Sequence, residues 1–394
     1  MCCRVGPCSR MQECFVRILI SAGEASGEMY GAQLIAALRR LDPGVVCLGA
    51  GGERMRAAGC DIVVDSRDLA VVGITEILGH LPKIWGLYRR LIGEAAKRKP
   101  DVAVVIDSPA FNWRVARAMK RRGVPVVYYV CPQFWAWRQG RVRLLRRYVD
   151  KALVIFPFEE KFYRDRGVDA EFVGHPLADL AKPTISRDGY AAEHGLDPAK
   201  HWIVLMPGSR RKEVQMNLPE MLESARVLGA DYEYLLPVAP TLNREFLSGI
   251  VGRSGIHLVP EALPALLHAR AGIVASGTAT VEAALIGMPF VMVYRVSPLT
   301  YFLGKSQVKV PFFAMVNLIA GEEVVPELIQ QDFTVAKVVQ HLREIIADGV
   351  ARERQIAGLD RVRRLLRSGK QGRSAAERAA EMAFSLAARP STSC

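Results

Sequence analysis

Short apolar runs alternate with segments of good helix formers through most of the chain. Runs such as residues 102–106 (VAVVI) and 272–275 (GIVA) have the length and β-branched content of strands buried in a parallel sheet. Polar loops and helical segments follow these runs, and this order predicts an α/β fold with parallel, doubly wound sheets. The predicted strands lie at residues 15–21, 47–49, 62–64, 102–106, 124–130, 151–155, 202–206, 234–238, 257–259, 272–275 and 290–294.

A polar and irregular stretch at residues 176–195 separates two series of strand–helix units. With 394 residues, the chain is long enough for two domains, each with its own core. We therefore predict an N-terminal domain at residues 15–177 and a C-terminal domain at residues 178–345. Residues 346–394 are predicted to form a helical segment and tail.

The composition restricts the compartment and the cofactors. No apolar run is long enough to span a bilayer, and residues 1–14 lack the apolar core of a signal peptide, with Met11 an alternative start to Met1. The cysteines show no CxxC or metal-ligand spacing, which indicates a reduced, cytoplasmic compartment. There is no Walker A loop, no GxGxxG after a strand and no HExxH, so we expect neither a cofactor nor a metal.

The net charge of +13 is typical of proteins that bind nucleic acid, an anionic membrane surface or phosphorylated substrates. No nucleic-acid motif accompanies the charge, and aromatic residues are not interleaved with it. We therefore expect no nucleic-acid partner, and basic residues on solvated helix faces explain much of the charge.

Loops that follow strand ends contain the unusual residues, and ligands of parallel sheets bind at those ends. Asp107 follows a strand directly and is placed to act as a general base, although a helix cap or turn former is an equal alternative. Arg210 lies among small and basic residues at a helix start, where it can bind a diphosphate, unless the loop is a solvated basic turn. The loops are GEASG at residues 23–27, with Glu24 and Ser26; DSPAFN at 107–112; WAWR at 135–138, with Trp137 and Arg138; GSRRK at 208–212; and SGTAT at 276–280.

The stretch SGTATVEAAL at residues 276–285 predicts a tight glycine turn that opens a helix. Gly277 allows the backbone to approach a ligand, and either Ser276 or Thr278 can cap the helix, whose N-terminus attracts phosphate. Glu282 lies one turn further on, where it would accept hydrogen bonds from sugar hydroxyls rather than bind phosphate. The alternative is an ordinary strand–helix turn with a surface glutamate.

In this order, the loops resemble the lipid-A-disaccharide synthase family, and the likeness extends from residue 22 to about residue 330. Each motif is weak alone, but the ordered set is specific. Four residues depart from the family pattern. Ala110 and Glu28 stand where aspartate is usual, and Cys131 and Phe134 vary the tryptophan loop. The matching stretches are residues 22–28, 106–112, 135–138, 174–176, 206–214, 276–285, 316–318 and 325–330.

The resemblance implies a GT-B-like fold, in which two Rossmann-like domains face each other across a cleft and C-terminal helices pack back. It implies an inverting transfer from UDP-2,3-diacylglucosamine to 2,3-diacylglucosamine 1-phosphate, with a β-1,6 disaccharide and UDP as products. Asp107 matches the proposed base of the family. The positions that match donor contacts are Arg210, Ser276, Gly277, Thr278, Thr280, Glu282 and Asn317. Another two-domain UDP-sugar enzyme, such as a 2-epimerase or a peptidoglycan glycosyltransferase, is the rival interpretation.

Substrates with two acyl chains imply that the protein acts at a membrane surface. Residues 70–81 form one apolar face if they are helical, and basic residues at 89–99 can meet anionic headgroups. We predict that Val72, Ile77 and Leu78 contact lipid, with a core helix of the first domain as the alternative. Glu24, Ser26, Trp137 and Arg138 complete the expected acceptor side. The expected location is the cytoplasmic face of the inner membrane, as a peripheral protein, with a homodimer left open beside the monomer.

Overall fold

The computed structural model describes residues 15–70, 77–137, 139–180, 182–297, 310–367 and 372–388, with only the backbone described at residues 25, 70 and 77–81. The first half of this part of the chain forms a seven-stranded sheet in the order β3-β2-β1-β4-β5-β6-β7. Every strand pair in it is parallel. The strands are β1 Arg17–Ala22, β2 Val46–Gly51, β3 Cys60–Asp65, β4 Val102–Ile106, β5 Val126–Tyr129, β6 Lys151–Val154 and β7 Ala170–Phe172.

Helices cover both faces of this first sheet, which explains why its central strands are apolar at every position. All five residues of β4 are buried, and four of its five side chains are β-branched. The helices are α1 Ala25–Leu41, α2 Glu53–Ala57, α3 Ser66–Ala70, α4 Ile77–Arg98, α5 Pro109–Lys120, α6 Val142–Tyr148 and α7 Pro157–Arg164. Short 3₁₀ turns lie at Gln139–Arg141 and Pro176–Asp179.

The second half repeats the arrangement with a six-stranded parallel sheet in the order β10-β9-β8-β11-β12-β13. Its strands are β8 His201–Met206, β9 Tyr232–Pro237, β10 Ile256–Val259, β11 Ala271–Ala275, β12 Phe290–Tyr294 and β13 Glu327–Ile329. The helices are α8 Arg187–His194, α9 Arg211–Leu228, α10 Arg244–Val251, α11 Ala262–His268, α12 Thr278–Ile286, α13 Met315–Ala320, α14 Val335–Ile346, α15 Val350–Leu366 and α16 Ala375–Ala387. The predicted class of two doubly wound sheets is confirmed.

The last helices return to the first domain, as predicted. α16 packs along α1, and Arg40 at the end of α1 pairs with Glu377 at 3.2 Å. The backbone N–H of Ala375 donates to Asp179 at 2.8 Å. Arg378, which is buried, pairs with Glu171 in β7 at 2.8 Å. These contacts connect the C-terminal segment to both the first sheet and the 3₁₀ turn after it.

Some predicted elements differ from the structure. The stretch at residues 176–195 is not irregular throughout, because α8 lies inside it and Ser186 caps α8 by accepting from Gly189 N at 3.1 Å. α1 begins at Ala25, five residues before the predicted helix start at residue 30. β13 was not predicted, since its three residues form a strand only by pairing with β12. The exact domain boundaries stay predictions.

Candidate active site

The order of strands reverses between β1 and β4 in the first sheet and between β8 and β11 in the second. At such a switch point, neighbouring loops leave in opposite directions and open a crevice at the carboxyl ends of the strands. The loops after these four strands are residues 23–27, 107–112, 207–210 and 276–278. Sequence reasoning had selected all four as site loops, and the structure brings them together in pairs.

Asp107 follows β4 directly and has an unusual backbone conformation. Its φ is 47° and that of Ser108 is 43°, so consecutive non-glycine residues occupy the left-handed region. Hydrogen bonds hold this turn, because the Asp107 carbonyl accepts from the Asn112 amide at 2.8 Å and from the Tyr128 hydroxyl at 2.8 Å. A strained turn that its surroundings hold in this way is typical of functional sites.

Asn112 is the residue that connects the two loops of this crevice, and sequence reasoning did not select it. Its side chain is fully buried in α5. Its amide nitrogen also donates to Ile106 O at 2.8 Å, and its amide oxygen accepts from the Ser21 hydroxyl at 2.7 Å. Asn112 therefore fixes the end of β1 against the end of β4. The sequence feature that could have identified Asn112 is a single asparagine on the apolar face of a predicted helix.

The environment of Asp107 suits a base that works near neutral pH. Burial, followed by the negative charge of Glu24, raises the pKa of Asp107 to about 6, while the Ser108 N–H and Arg210 act in the opposite direction. Arg210 lies in the loop between β8 and α9 of the second domain, so its charge acts on Asp107 from the other domain. Glu24 also raises the pKa of Arg210, after the larger effect of Glu213.

The loop at residues 23–27 packs tightly against the Asp107 turn. A Cβ on Gly23 would lie 2.5 Å from the Ser108 hydroxyl oxygen, so only glycine fits there without movement. Glu24 is exposed at the start of α1 and makes no side-chain cap. Ser26 is half-buried in the first turn of α1. Glu24 and Ser26 therefore lie at the crevice, and their contacts with an acceptor stay a prediction.

The loop before α9 differs from the open anion site that was predicted. Its backbone N–H groups at Ser209 and Arg210 donate to the Glu213 carboxylate at 3.1 and 3.2 Å. The Arg210 guanidinium pairs with the same carboxylate at 2.7 Å. A carboxylate of the chain itself thus occupies the backbone site where an anion was expected. The sequence feature that could have predicted this role of Glu213 is capping-box spacing, in which an acid lies three residues after the N-cap residue.

The N-terminus of α12, by contrast, has no side-chain cap. Gly277 precedes it with a φ of 138°, a conformation that a residue with a side chain rarely adopts. The prediction that Ser276 or Thr278 caps the helix is wrong. Ser276 donates to Phe313 O at 3.0 Å, Thr278 is exposed, and the buried Thr280 hydroxyl donates back to Gly277 O at 2.8 Å. The N–H groups of the first turn of α12 therefore have no side-chain acceptor, although that of Thr280 donates to Gly277 O at 3.1 Å.

Glu282 lies in α12, partly buried beneath this turn. Burial raises the pKa of Glu282 to about 7. Its negative charge also raises the pKa of Tyr30 in α1, although burial of the Tyr30 ring has the larger effect. Tyr30, which sequence reasoning did not select, therefore lies in the first domain within range of the Glu282 charge.

Asn317 has a structural task in α13. Its buried amide donates to Val325 O at 2.9 Å and to Glu327 at 2.8 Å, and its oxygen accepts from the backbone N–H groups of Val324 and Val325 at 2.8 and 3.0 Å. Both donors and both lone pairs thus have partners. The expected direct contact with a nucleotide would require Asn317 to give up one of these bonds, and its role in donor binding stays a prediction.

The tryptophan loop lies after β5. Trp135 is buried and donates to Glu159 at 2.8 Å. Glu159 is also buried, and burial raises the pKa of its carboxyl to about 7 against the opposing hydrogen bond from Trp135. Trp137 is 46% exposed, whereas Arg138 lies outside the described residues. The loop is therefore anchored through Trp135, which leaves Trp137 at the surface.

The predicted lipid-contacting residues are described least. Val72 lies outside the described residues, and Ile77 and Leu78 are described only as backbone in the first turn of α4. Further along α4, Trp85 is 53% exposed and stacks on Tyr88 with ring centroids 5.1 Å apart. None of the described helices combines the length and apolar character that crossing a bilayer requires.

Among the described residues, no three His, Cys, Asp or Glu side chains cluster as the ligands of a metal ion would. The charged groups that face the crevices are instead Asp107, Glu24, Arg210 and Glu282. They combine a candidate base in one domain with a cation and an uncapped helix terminus in the other. This is the arrangement expected where a hydroxyl attacks a sugar that leaves a diphosphate.

Two facing Rossmann-like domains, with a C-terminal helix that returns to the first, define the GT-B-type class of sugar-nucleotide enzymes. Solved structures agree with this class. A Staphylococcus aureus MnaA–UDP structure matches with a TM-score of 0.64 at 14% identity, covering 94% of this chain and 97% of that one. The calicheamicin glycosyltransferase CalG4 matches with a TM-score of 0.59 at 16% identity, covering 95% and 99%. At these identities, the likeness concerns the fold alone.

Sequence relatives identify the family. The family model described as lipid-A-disaccharide synthetase matches residues 18–383, so the chain belongs to this family. A lipid-A-disaccharide synthase of Koribacter versatilis is 55% identical over 379 residues, which cover 95% of this chain and 99% of the relative. The enzyme of the same name from Myxococcus xanthus is 43% identical over 376 residues, covering 94% and 97%. The resemblance found in the strand-end loops is confirmed.

Proposed function

We propose that this chain is a glycosyltransferase that joins UDP-2,3-diacylglucosamine to 2,3-diacylglucosamine 1-phosphate. The products are the β-1,6-linked lipid A disaccharide 1-phosphate and UDP. Family membership supports the choice of substrates. The observation that supports the chemistry is geometric: Asp107 follows β4 in a left-handed turn at the switch point of the first sheet, and Arg210 follows β8 at the switch point of the second.

Asp107 is the proposed general base. Its carboxylate accepts the proton of the acceptor 6-hydroxyl while the 6-oxygen attacks C1 of the donor sugar. The bond between C1 and the diphosphate oxygen breaks on the opposite face, UDP leaves with the electron pair, and the configuration at C1 inverts. The hydrogen bonds from Asn112 and Tyr128 to the Asp107 carbonyl support this role, because they fix the backbone from which the carboxylate projects.

The second domain is proposed to bind the donor. The leaving diphosphate gains negative charge as the C1–O bond breaks, and Arg210 together with the N-terminus of α12 offsets this charge. Glu282 accepts hydrogen bonds from the ribose hydroxyls. Glu213 holds Arg210 in place and occupies the N–H groups before α9, so the open terminus of α12 is the better diphosphate site.

The acceptor is proposed to reach the first domain from a membrane surface on its cytoplasmic face. Each substrate has two acyl chains, and each buried CH₂ contributes about 0.8 kcal/mol, so such lipids leave a bilayer rarely. The exposed Trp85 on α4 and Trp137 in the loop after β5 support a surface contact near the acceptor crevice. The chain would then bind the membrane peripherally.

The test is release of UDP by the purified chain. Both diacylated substrates in mixed micelles should give UDP and disaccharide 1-phosphate in equal amounts, and omission of the acceptor should abolish both. Release of UDP without an acceptor, or no release with it, would contradict the proposal. Epimerisation of UDP-N-acetylglucosamine in the same preparation would instead favour the rival 2-epimerase.

A further inference from the structure

A basic pocket lies at the edge of the second sheet where β8 and β11 begin. It has a volume of about 410 Å³, and its charged lining residues are Arg187, Lys200, His201, His268, Arg270 and Arg352. β8 has six residues, which at ~3.3 Å per residue puts the pocket about 17–20 Å from the donor crevice at the other end of the strand. The basic pocket is therefore separate from the site described above.

Arg187 is held rigidly in the pocket wall. Its guanidinium lies 3.9 Å from the centre of the Trp202 ring, stacked on it. It donates to the carbonyls of His268 at 2.5 Å, Lys200 at 2.6 Å and Pro198 at 3.2 Å. A guanidinium fixed in this way loses little further freedom when it binds a ligand.

Arg270 and Arg352 form the opposite wall. Arg352 donates to Ile345 O at 2.6 Å and to Arg270 O at 2.9 Å, and Arg270 donates to Ile346 O at 2.8 Å. The Ile345 and Ile346 carbonyls lie at the end of α14, so each arginine is held by a helix C-terminus. Arg270 also pairs with Asp348, whose side chain is 90% exposed at the rim.

The positive charge of the pocket is only partly compensated. Among the residues that the structure describes, no carboxylate lies within ion-pair distance of Arg187 or Arg352. Glu233 is 3.8 Å from the Lys200 ammonium and is shared with His257. Burial lowers the pKa of Arg187 and of Arg352, which is the penalty for holding these cations away from water.

His201, the first residue of β8, lies within the electrostatic field of the pocket arginines. Its side chain is exposed. Burial, followed by the charges of Arg270, Arg187 and Arg352, nevertheless lowers the pKa of His201. An anion bound in the pocket would offset the positive charge of these arginines and raise the pKa of His201. The pKa of His201 therefore reports whether an anion is bound there.

We propose that the basic pocket binds the phosphate or diphosphate group of an anionic ligand. A guanidinium has five N–H donors, and the carbonyls described above take three of those of Arg187 but only two of those of Arg352, both on Nη1. The remaining donors suit phosphate oxygens, and the fixed positions of the arginines make the site preformed. The volume lies in the range of small-ligand sites. The group can belong to a soluble phosphorylated metabolite or to a phospholipid headgroup, and the experiment below separates these sources.

The first measurement follows the imidazole resonances of the full chain by NMR during titration with inorganic pyrophosphate. The chain has seven histidines, and the His201 signal is the one absent from His201→Glu. Bound pyrophosphate should raise the pKa of His201 toward its usual range. Pyrophosphate that binds only in the donor crevice would leave His201 unchanged, because the signal is local.

The second measurement compares His201→Glu with the control Ser385→Glu, which makes the same charge change on the exposed face of α16. Neither change removes a hydrogen bond that holds an arginine, so both variants should melt close to wild type. His201→Glu places an acid among the arginines and should weaken pyrophosphate binding about tenfold or more, measured in a background of saturating uridine and low salt. Ser385→Glu should bind like wild type.

Sedimentation with vesicles separates the two sources. Vesicles that contain phosphatidylglycerol should bind His201→Glu less well than Ser385→Glu if the ligand is a headgroup, and equally well if it is a soluble metabolite. The proposal is overturned if pyrophosphate leaves the pKa of His201 unchanged and both variants bind anionic vesicles alike. Glycosyl transfer by His201→Glu is expected to match wild type, so this outcome is independent of the proposed function.

Discussion

Arg210 and Glu213 form an ion pair of 2.7 Å at the start of α9, and the same Glu213 carboxylate accepts the backbone N–H of Arg210 at 3.2 Å. The pair fixes the direction of the guanidinium before any ligand is present. It also closes the backbone anion site of that loop, so a diphosphate is left with the outer face of Arg210 and the uncapped terminus of α12. The donor crevice is therefore asymmetric, with one preoriented cation and one open helix terminus.

Replacing Arg210 by alanine should weaken UDP and spare uridine. The reason is that Arg210 is proposed to contact the diphosphate and not the nucleoside. Loss of a charged hydrogen bond costs about 1.5–3 kcal/mol, or roughly ten- to hundredfold in Kd. Calorimetric titration measures the Kd of each ligand. The control is Lys212→Ala, which removes an exposed cation two residues further along the chain. Equal losses of UDP and uridine in Arg210→Ala would contradict the phosphate role.

Glu282→Ala should weaken UDP and uridine by the same factor, because its proposed partner is the ribose that both ligands share. The expected loss is again about 1.5–3 kcal/mol at a pH where the carboxyl is ionised. Burial raises the pKa of Glu282 to about 7, so the titrations belong near pH 8. A variant that loses UDP but retains uridine would assign Glu282 to the diphosphate end instead.

Asp107→Asn should keep the fold and UDP binding while turnover falls by roughly 10²–10⁴, the usual contribution of a general base. Asparagine preserves the shape of the side chain and can still accept from the Ser108 N–H. The measurements are kcat from UDP release and Kd for UDP by titration. Turnover within a few-fold of wild type would require a different base.

The same residue predicts a pH profile. A base must be ionised to accept a proton, so kcat/KM should fall as the pH drops through about 6, to which burial and then Glu24 raise the pKa of Asp107. Glu24→Gln removes a neighbouring negative charge and should move this acid limb to lower pH. Arg210→Ala removes a positive charge and should move it to higher pH. Limbs that stay fixed in both variants would mean that another group titrates.

Much of the crevice was predictable because its loops follow apolar, β-branched runs. Such runs mark buried parallel strands, and topology then brings the loop with Asp107 beside the loop with Glu24. The fold class followed from the same alternation. Strand ends and glycine turns are local features of the sequence, and for this reason they could be predicted from it.

Side-chain partnerships across the fold were not predictable in this way. Asn112 bonds to Ser21, which lies 91 residues earlier in the chain. Asn317 looked available for a ligand, yet its amide is used up by the backbone of residues 324 and 325 and by Glu327. The helix α8 was missed because Gly189 lies in its first turn, where a cap from Ser186 outweighs the poor helix propensity of glycine.

A final prediction concerns the exposed surface of α4. Trp85 is 53% exposed, and an indole at that position would enter the headgroup region of a bilayer if the first domain binds a membrane as proposed. Trp85→Ser should therefore reduce binding to vesicles of anionic phospholipid and raise KM for the diacylated acceptor, with little change in melting temperature. Val350→Ser, which alters an 81% exposed apolar residue at the start of α15, is the control and should bind like wild type. If Trp85→Ser instead melts at a much lower temperature, the stacking of Trp85 on Tyr88 is structural, and the membrane role of α4 fails.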